Sequence, residues 1–129
     1  ATVDNVQFKQ LKAHTPAPIT FILNATKDVP KKLAHAKKKT IGIRVPSNPI
    51  AQALLEAMDE PILTSSLILP DRDDILDDPF DIEELLDNQV DGLINAGIKT
   101  TKLTTIVDMT NSQPEVIRQG AADVSDLLL

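Results

Sequence analysis

At 129 residues, with 42% apolar and 25% charged residues, the chain has the length and composition of about one globular domain, read here as a single domain spanning 1–129. A net charge of −6, with Phe8, Phe21 and Phe80 as the only aromatics, speaks against a protein built chiefly to coat or stack on nucleic acid. No apolar run approaches the roughly 20 residues of a membrane helix, so no membrane partner is expected. The opening residues show no signal-peptide pattern, and the absence of cysteine excludes disulfides and thiolate metal sites and fits a cytoplasmic location.

The elements follow in chain order. "VDNVQFKQLKAH" sets Val3, Val6, Phe8 and Leu11 at spacings suited to one helical face, and Pro16 and Pro18 close it off. "ITFILN", apolar, β-branched and aromatic, predicts a buried strand from Ile19 to about Asn24. "DVPKKLAHAKK" predicts a helix with Asp28 as N-cap and its lysines toward the end, where they suit the helix dipole. "TIGIRV" predicts a strand. "SNPIAQALLEAMDE" has cap residues Ser47 and Asn48, proline at the first helical position, and Ile50, Leu54, Leu55 and Met58 as its buried face.

"PILTSSLILP" is expected to be a strand running into a turn around Thr64, Ser65 and Ser66. An acidic loop to about Pro79 precedes a helix across "FDIEELLDNQ", and "VDGLINAG" predicts a short strand ending at Gly97. "TTIVDMT" and "EVIRQG" predict two strands separated by Asn111, Ser112 and Pro114, and "VSDLLL" a short closing helix. Alternating strands and helices point to an α/β sheet packed by helices, made mixed by the hairpin-like pair at the end.

Charge is unevenly spread. Lys27, Lys31, Lys32, Lys37, Lys38 and Lys39 crowd the first third, and "DRDDILDDPFDIEELLD" makes the middle acidic. Solvated surface accounts for both runs, and the basic one also suits phosphate attraction. Two histidines, His14 and His35, without cysteine or HExxH, provide no histidine-based metal site. Gly42, Gly92, Gly97 and Gly120 form neither a phosphate-binding loop nor a dinucleotide fingerprint, and no GxSxG elbow is present.

What remains is a set of polar groups at strand ends, where open α/β sheets place their chemistry. These are Thr40 and Arg44 around one strand, Thr64 to Ser66 on the next, Thr104 and Thr105 opening "TTIVD", and Arg118 ending "EVIRQG". Arginine meets carboxylate or phosphate through a planar fork, and hydroxyls serve the remaining oxygens, so the set suits a small anionic ligand. Each position also has an ordinary reading: the threonines are good strand residues, Ser66 shapes a turn, and Arg118 is a rim cation. The residues alone leave both readings open.

"TIGIRVPSNPIAQALLEAMDEPIL", the "TSS" turn, "QVDGLINAG", "TTIVDMT" and "VIRQG" together resemble the YrdC/YciO family, and its YciO branch above all in "GIRVPSNPIAQALLEA" and "TSSLILP". The resemblance implies a twisted mixed α/β sheet around a concave, cationic cavity. It also implies the activity of a threonylcarbamoyl-AMP synthase, a nucleotidyltransferase that combines L-threonine, bicarbonate and ATP for the t6A modification of tRNA, or of a YciO-type nucleotide-binding relative. A double-stranded RNA or tRNA-binding protein without catalysis is the alternative it suggests.

By motif the resemblance gives Thr40, Ser66 and Arg118 nucleotide contacts, and Arg44, Thr64 and Thr104 contacts to the threonine substrate. It implies ATP as substrate, with Mg2+ in attendance, and assigns no catalytic residue. Leu67 and Ile68 depart from the family's "ATSAN" by replacing an amide with apolar bulk, and "LPDRDD" stands where "SGxPSP" is usual. Neither "YPTDT(V/S)YGLG" nor a Lys-x-Arg motif occurs, so the resemblance implies an incomplete domain that lacks its N-terminal segment and is inactive by itself.

Overall fold

The computed structural model describes residues 1–128. Its elements are α1 (Asn5–Ala13), β1 (Ile19–Asn24), β2 (Thr40–Ile43), α2 (Pro49–Met58), α3 (Pro79–Leu86), β3 (Thr105–Asp108), β4 (Glu115–Arg118) and a closing 3₁₀ helix, Ser125–Leu128. They fall into two compact units, one made of Ala1–Pro61 with the segment from Leu103 onward, the other of Ile62–Lys102.

The first unit carries a four-stranded mixed sheet in the order β2-β1-β3-β4. β1 pairs antiparallel with β2 and parallel with β3, and β3 pairs antiparallel with β4. Alternation in β1 sends Ile19, Phe21 and Leu23 to one face, where they join Val107, Met109, Val124 and Leu127 in the buried core. Val3, Leu11, Ile43 and Val116 pack partly buried against this cluster. The closing 3₁₀ helix contributes Leu127 to the core, so the expected short final helix is present.

Local chemistry explains the helices that form. α1 starts in a capping box: the Asp4 carboxylate accepts the Gln7 N–H at 2.8 Å, and the Gln7 side chain accepts the Asp4 N–H at 3.1 Å. In α2 the Asn48 side chain accepts from the N–H groups of Ile50 (2.8 Å) and Ala51 (3.2 Å), with Pro49 where its missing N–H costs nothing. Asp59, in the left-handed region at φ 53°, ends it.

Several expectations are corrected. Residues 28–38 form a series of turns rather than a helix. Pro30 disfavours helical backbone at the residue before it, while the His35 Nδ1 accepts the N–H groups of Lys37 (3.2 Å) and Lys38 (3.1 Å). Lys39, at φ 51°, then turns the chain into β2. The apolar face of α2 was expected to be buried, yet Ile50, Leu54 and Met58 are exposed and Leu55 is half-buried. On the α1 stripe Val6 and Phe8 are exposed while Val3 and Leu11 pack against the core. Periodicity identifies an apolar stripe but not what covers it.

In the second unit, α3 begins with the Asp78 carboxylate accepting the Phe80 N–H at 2.9 Å, and Leu76 is buried. "ILTSSLIL" and "VDGLINAG" are irregular, although both were expected to be strands. The Ile68 N–H bonds back to the Ser66 carbonyl, and the Leu67 carbonyl receives the Leu76 N–H from a loop. A strand exists only with a ladder partner, and the described residues supply none there.

Candidate functional site

The face of the sheet opposite the core holds the candidate site. Register puts Thr20 and Ile22 of β1, Thr40 and Gly42 of β2, and Ile106 and Asp108 of β3 on this face. Thr104, one residue before β3, has the same parity, and so has Arg44, one residue past β2. Arg118 arrives by a less regular route. Val107 pairs with Val116, but Ile106 pairs with Arg118, so β4 carries one extra residue there. That β-bulge leaves Val116 on the core side and moves Arg118 to the opposite face.

Along the strands, these groups sort to two ends. Thr20, Thr104, Arg118 and Arg44 lie where β1 and β3 begin and where β2 and β4 finish. Thr40 lies at the far end, paired with Asn24, so four residues of extended chain, about 13 Å, separate it from Arg44. Across the sheet, from β2 to β4, three strand spacings span about 14 Å.

Thr104 and Arg118 are in direct contact. The guanidinium donates to the Thr104 carbonyl from Nε (3.0 Å) and Nη2 (2.8 Å), and Nη2 also reaches Thr104 Oγ1 at 3.2 Å. Thr104 is 8% exposed and its Oγ1 lies 2.8 Å from Thr20 Oγ1. Arg118 is half-buried, with its remaining nitrogen Nη1 outside these bonds. Arg44 is exposed and, among the described residues, makes no side-chain hydrogen bond.

Thr105, next to Thr104, points the other way and is fully buried. Its hydroxyl donates to the Ala122 carbonyl at 2.7 Å and accepts from the N–H groups of Gly120 (3.0 Å) and Ala122 (3.1 Å). This knot draws residue 120 so near the start of β3 that a Cβ there would stand 2.4 Å from the Leu103 carbonyl oxygen and the Thr104 carbonyl. Thr105, first grouped with the polar site residues, is therefore an anchor on the core side that fixes the backbone of Thr104.

Thr64 and Ser66 belong to the second unit, exposed in its irregular segment. The shallow cleft of that unit, beside α3, is lined by Ile82, Leu86 and Val90 with Glu83, Asp87 and Asp91, and holds none of the six predicted site residues. Its carboxylates make it unsuited to an anion. Among the described residues no group of three His, Asp or Glu side chains could hold a metal ion, and no helix is long and apolar enough to cross a membrane.

Sequence reasoning passed over Thr20 and Asp108. The Asp108 Oδ1 accepts from the Thr110 N–H (2.8 Å) and hydroxyl (2.6 Å), closing the end of β3 on the site face. The available signal was parity, since "TTIVD" places Thr104, Ile106 and Asp108 on one side.

The chain matches the family model that groups Sua5, YciO and YrdC proteins, described as "Telomere recombination", over residues 1–120. The chain belongs to the Sua5/YciO/YrdC family. Within this family it is 51% identical to the uncharacterized protein YciO of Escherichia coli K12 over 126 residues, which is 98% of this chain and 61% of that protein. An uncharacterized protein of Haemophilus influenzae is 42% identical over 129 residues, 99% of this chain and 62% of the relative. The chain thus spans about three fifths of the length of the curated relatives it matches.

Family membership is equally visible in three dimensions. The crystal structure of E. coli YciO superposes with a TM-score of 0.91 at 50% identity, covering 99% of this chain and 62% of that one. Sua5 of P. abyssi in complex with L-threonine superposes with a TM-score of 0.84 at 20% identity, covering 98% of this chain and 37% of Sua5, a likeness of fold. The mixed α/β architecture expected from the sequence is the family's fold.

Proposed function

We propose that this chain forms the part of a Sua5/YciO/YrdC-type protein that binds L-threonine beside ATP, for formation of threonylcarbamoyl adenylate from L-threonine, bicarbonate and ATP. The observation that carries this reading is the meeting of Thr104 and Arg118, with Arg44 at the same strand end, on one face of one sheet. The Sua5 fold-mate that was solved with L-threonine supports it.

In this reading Arg44, exposed and uncommitted, grips the threonine carboxylate with its fork, and the Thr104 hydroxyl serves the same ligand. Arg118 keeps Nη1 for nucleotide phosphate while its other nitrogens hold Thr104. Thr40 serves the nucleotide. The protein's contribution is position and fixed charge, which stabilise the charge that develops as pyrophosphate leaves. Mg2+ would come with the nucleotide, held mainly by its phosphates, since no protein cage of three ligands is built among the described residues.

The test is calorimetric titration of L-threonine and of ATP into the protein. Arg44→Ala is expected to weaken threonine binding more than ATP binding, and equal losses for both would remove the assignment. A second reading is binding of double-stranded RNA or tRNA, favoured by exposed Lys31, Lys32, Lys37, Lys38 and Lys39 along the turns before β2. Phosphate-driven binding falls steeply with salt. Absence of binding to double-stranded RNA at low salt eliminates this second reading.

A further inference from the structure

Thr20 stands in β1 as an ordinary β-branched strand residue, and no motif singles it out. Its geometry does. Register sets Thr20 opposite Ile106, so Thr104 is its diagonal neighbour on the site face, and the two hydroxyl oxygens are 2.8 Å apart. Gly42 of the adjoining strand gives that rotamer room. A Cβ there would lie 3.3 Å from Thr20 Cγ2, closer than ordinary contact, so the missing side chain leaves room for the methyl group while the hydroxyl faces β3.

We infer that Thr20 is a positioning residue of this site, which acts through Thr104 and sets whether the Thr104 hydroxyl donates to a ligand or accepts from one. The inference rests on the L-threonine reading above for the identity of the ligand, and on geometry alone for the coupling. A threonine hydroxyl has one proton and two acceptor sites. Arg118 can only donate, so its Nη2 occupies one acceptor site of Thr104. One acceptor site and the proton are left, and Thr20 takes one of them.

When Thr20 donates, the Thr104 proton is free for a ligand carboxylate. When Thr20 accepts, Thr104 offers its lone pair to an ammonium or hydroxyl group. Burial of Thr104 at 8% exposure keeps bulk water from substituting for this partner. Thr20 thus completes the chain Arg118–Thr104–Thr20 that crosses three adjacent strands, β4, β3 and β1.

The experiment compares wild type, Thr20→Val and Thr20→Ser by calorimetry with L-threonine and by the Arg118 Nε–H resonance in 15N-correlated spectra. Valine keeps the shape and removes the hydroxyl, whereas serine keeps the hydroxyl. Thr20→Val is expected to weaken L-threonine binding about five- to tenfold, the loss of one hydrogen bond. The Ser variant should stay within about twofold of wild type on the same scale. The Nε–H resonance should move in the valine variant and return in the serine variant. Unchanged L-threonine affinity in Thr20→Val overturns the inference while leaving the proposed function standing. If the wild type takes up no L-threonine, the proposed function fails, and the resonance decides the coupling: movement rescued by serine supports it, and an unmoved signal overturns it. Thr20→Ala, with the same expectations, replaces the valine variant if that protein does not fold.

Discussion

The guanidinium of Arg118 holds the carbonyl of Thr104 from two nitrogens, at 3.0 Å and 2.8 Å, across the bulge that joins β4 to β3. An arginine at a strand end is usually a free surface cation. Here its fork is largely spent on the backbone of a buried neighbour. Lysine, without the rigid planar fork, cannot reproduce two bonds converging on one carbonyl oxygen. Arg118→Lys should therefore cost about 1.5–3 kcal/mol, the range for hydrogen bonds to a charged group. Urea unfolding would show it as a lowered midpoint with an unchanged slope.

Thr105 makes a second prediction, because its one hydroxyl satisfies three backbone groups in a fully buried position. Thr105→Val keeps the volume and leaves the Gly120 and Ala122 N–H groups without partners, while the Ala122 carbonyl still accepts from Gln119 Nε2 at 2.8 Å, for a cost of about 2 kcal/mol or more. Thr105→Ser retains the bonds and loses a methyl group, at about 1 kcal/mol. Chemical denaturation of the two variants should rank them in that order. Equal losses would mean that packing, not the hydroxyl, is what Thr105 contributes.

Gly120 is required by space. Alanine there would set its methyl group 2.4 Å from the Leu103 and Thr104 carbonyls, and backbone cannot move aside as a flexible side chain can. Gly120→Ala should cost about 1–3 kcal/mol and displace Thr104. Gly92, with nothing within 4 Å of such a methyl group, is the control. Gly92→Ala should lie within about 0.5 kcal/mol of wild type in the same unfolding experiment.

Asp123 gives a pH-dependent outcome. Its carboxylate accepts the Ser125 N–H at 2.9 Å at the entrance to the closing 3₁₀ helix, and the Ser125 backbone and hydroxyl hold its pKa below the ordinary 3.8. A folded pKa below the unfolded one means that the stabilisation is present above pH 3.8 and is lost as pH falls through the folded value. NMR titration of the Asp123 carboxyl should find it below the usual aspartate range, and Asp123→Asn should remove this part of the acid dependence. A midpoint at or above the usual value would show that the turn does not hold the charge.

The sequence by itself determined the pieces that depend on near neighbours. Alternation in "ITFILN" sets which side chains of β1 can be buried, and Asn48 before Pro49 starts α2 because cap and proline act within one turn. It also marked Thr104 and Arg118 as polar groups at strand ends. Their contact was beyond its reach, since the bulge that turns Arg118 to the site face arises from the pairing of β4 with β3 and has no local signature in "EVIRQG".

Only the tertiary structure decided the relationships between distant segments. Thr20 and Thr104 are separated by 84 positions and meet at 2.8 Å because β1 and β3 run parallel in adjacent places. The stretches "ILTSSLIL" and "VDGLINAG" have the composition of strands and remain irregular, because a strand's hydrogen bonds are made to another segment. The exposed stripe of Ile50, Leu54 and Met58 has the same origin: sequence fixes the period of an apolar face, and packing fixes what it meets.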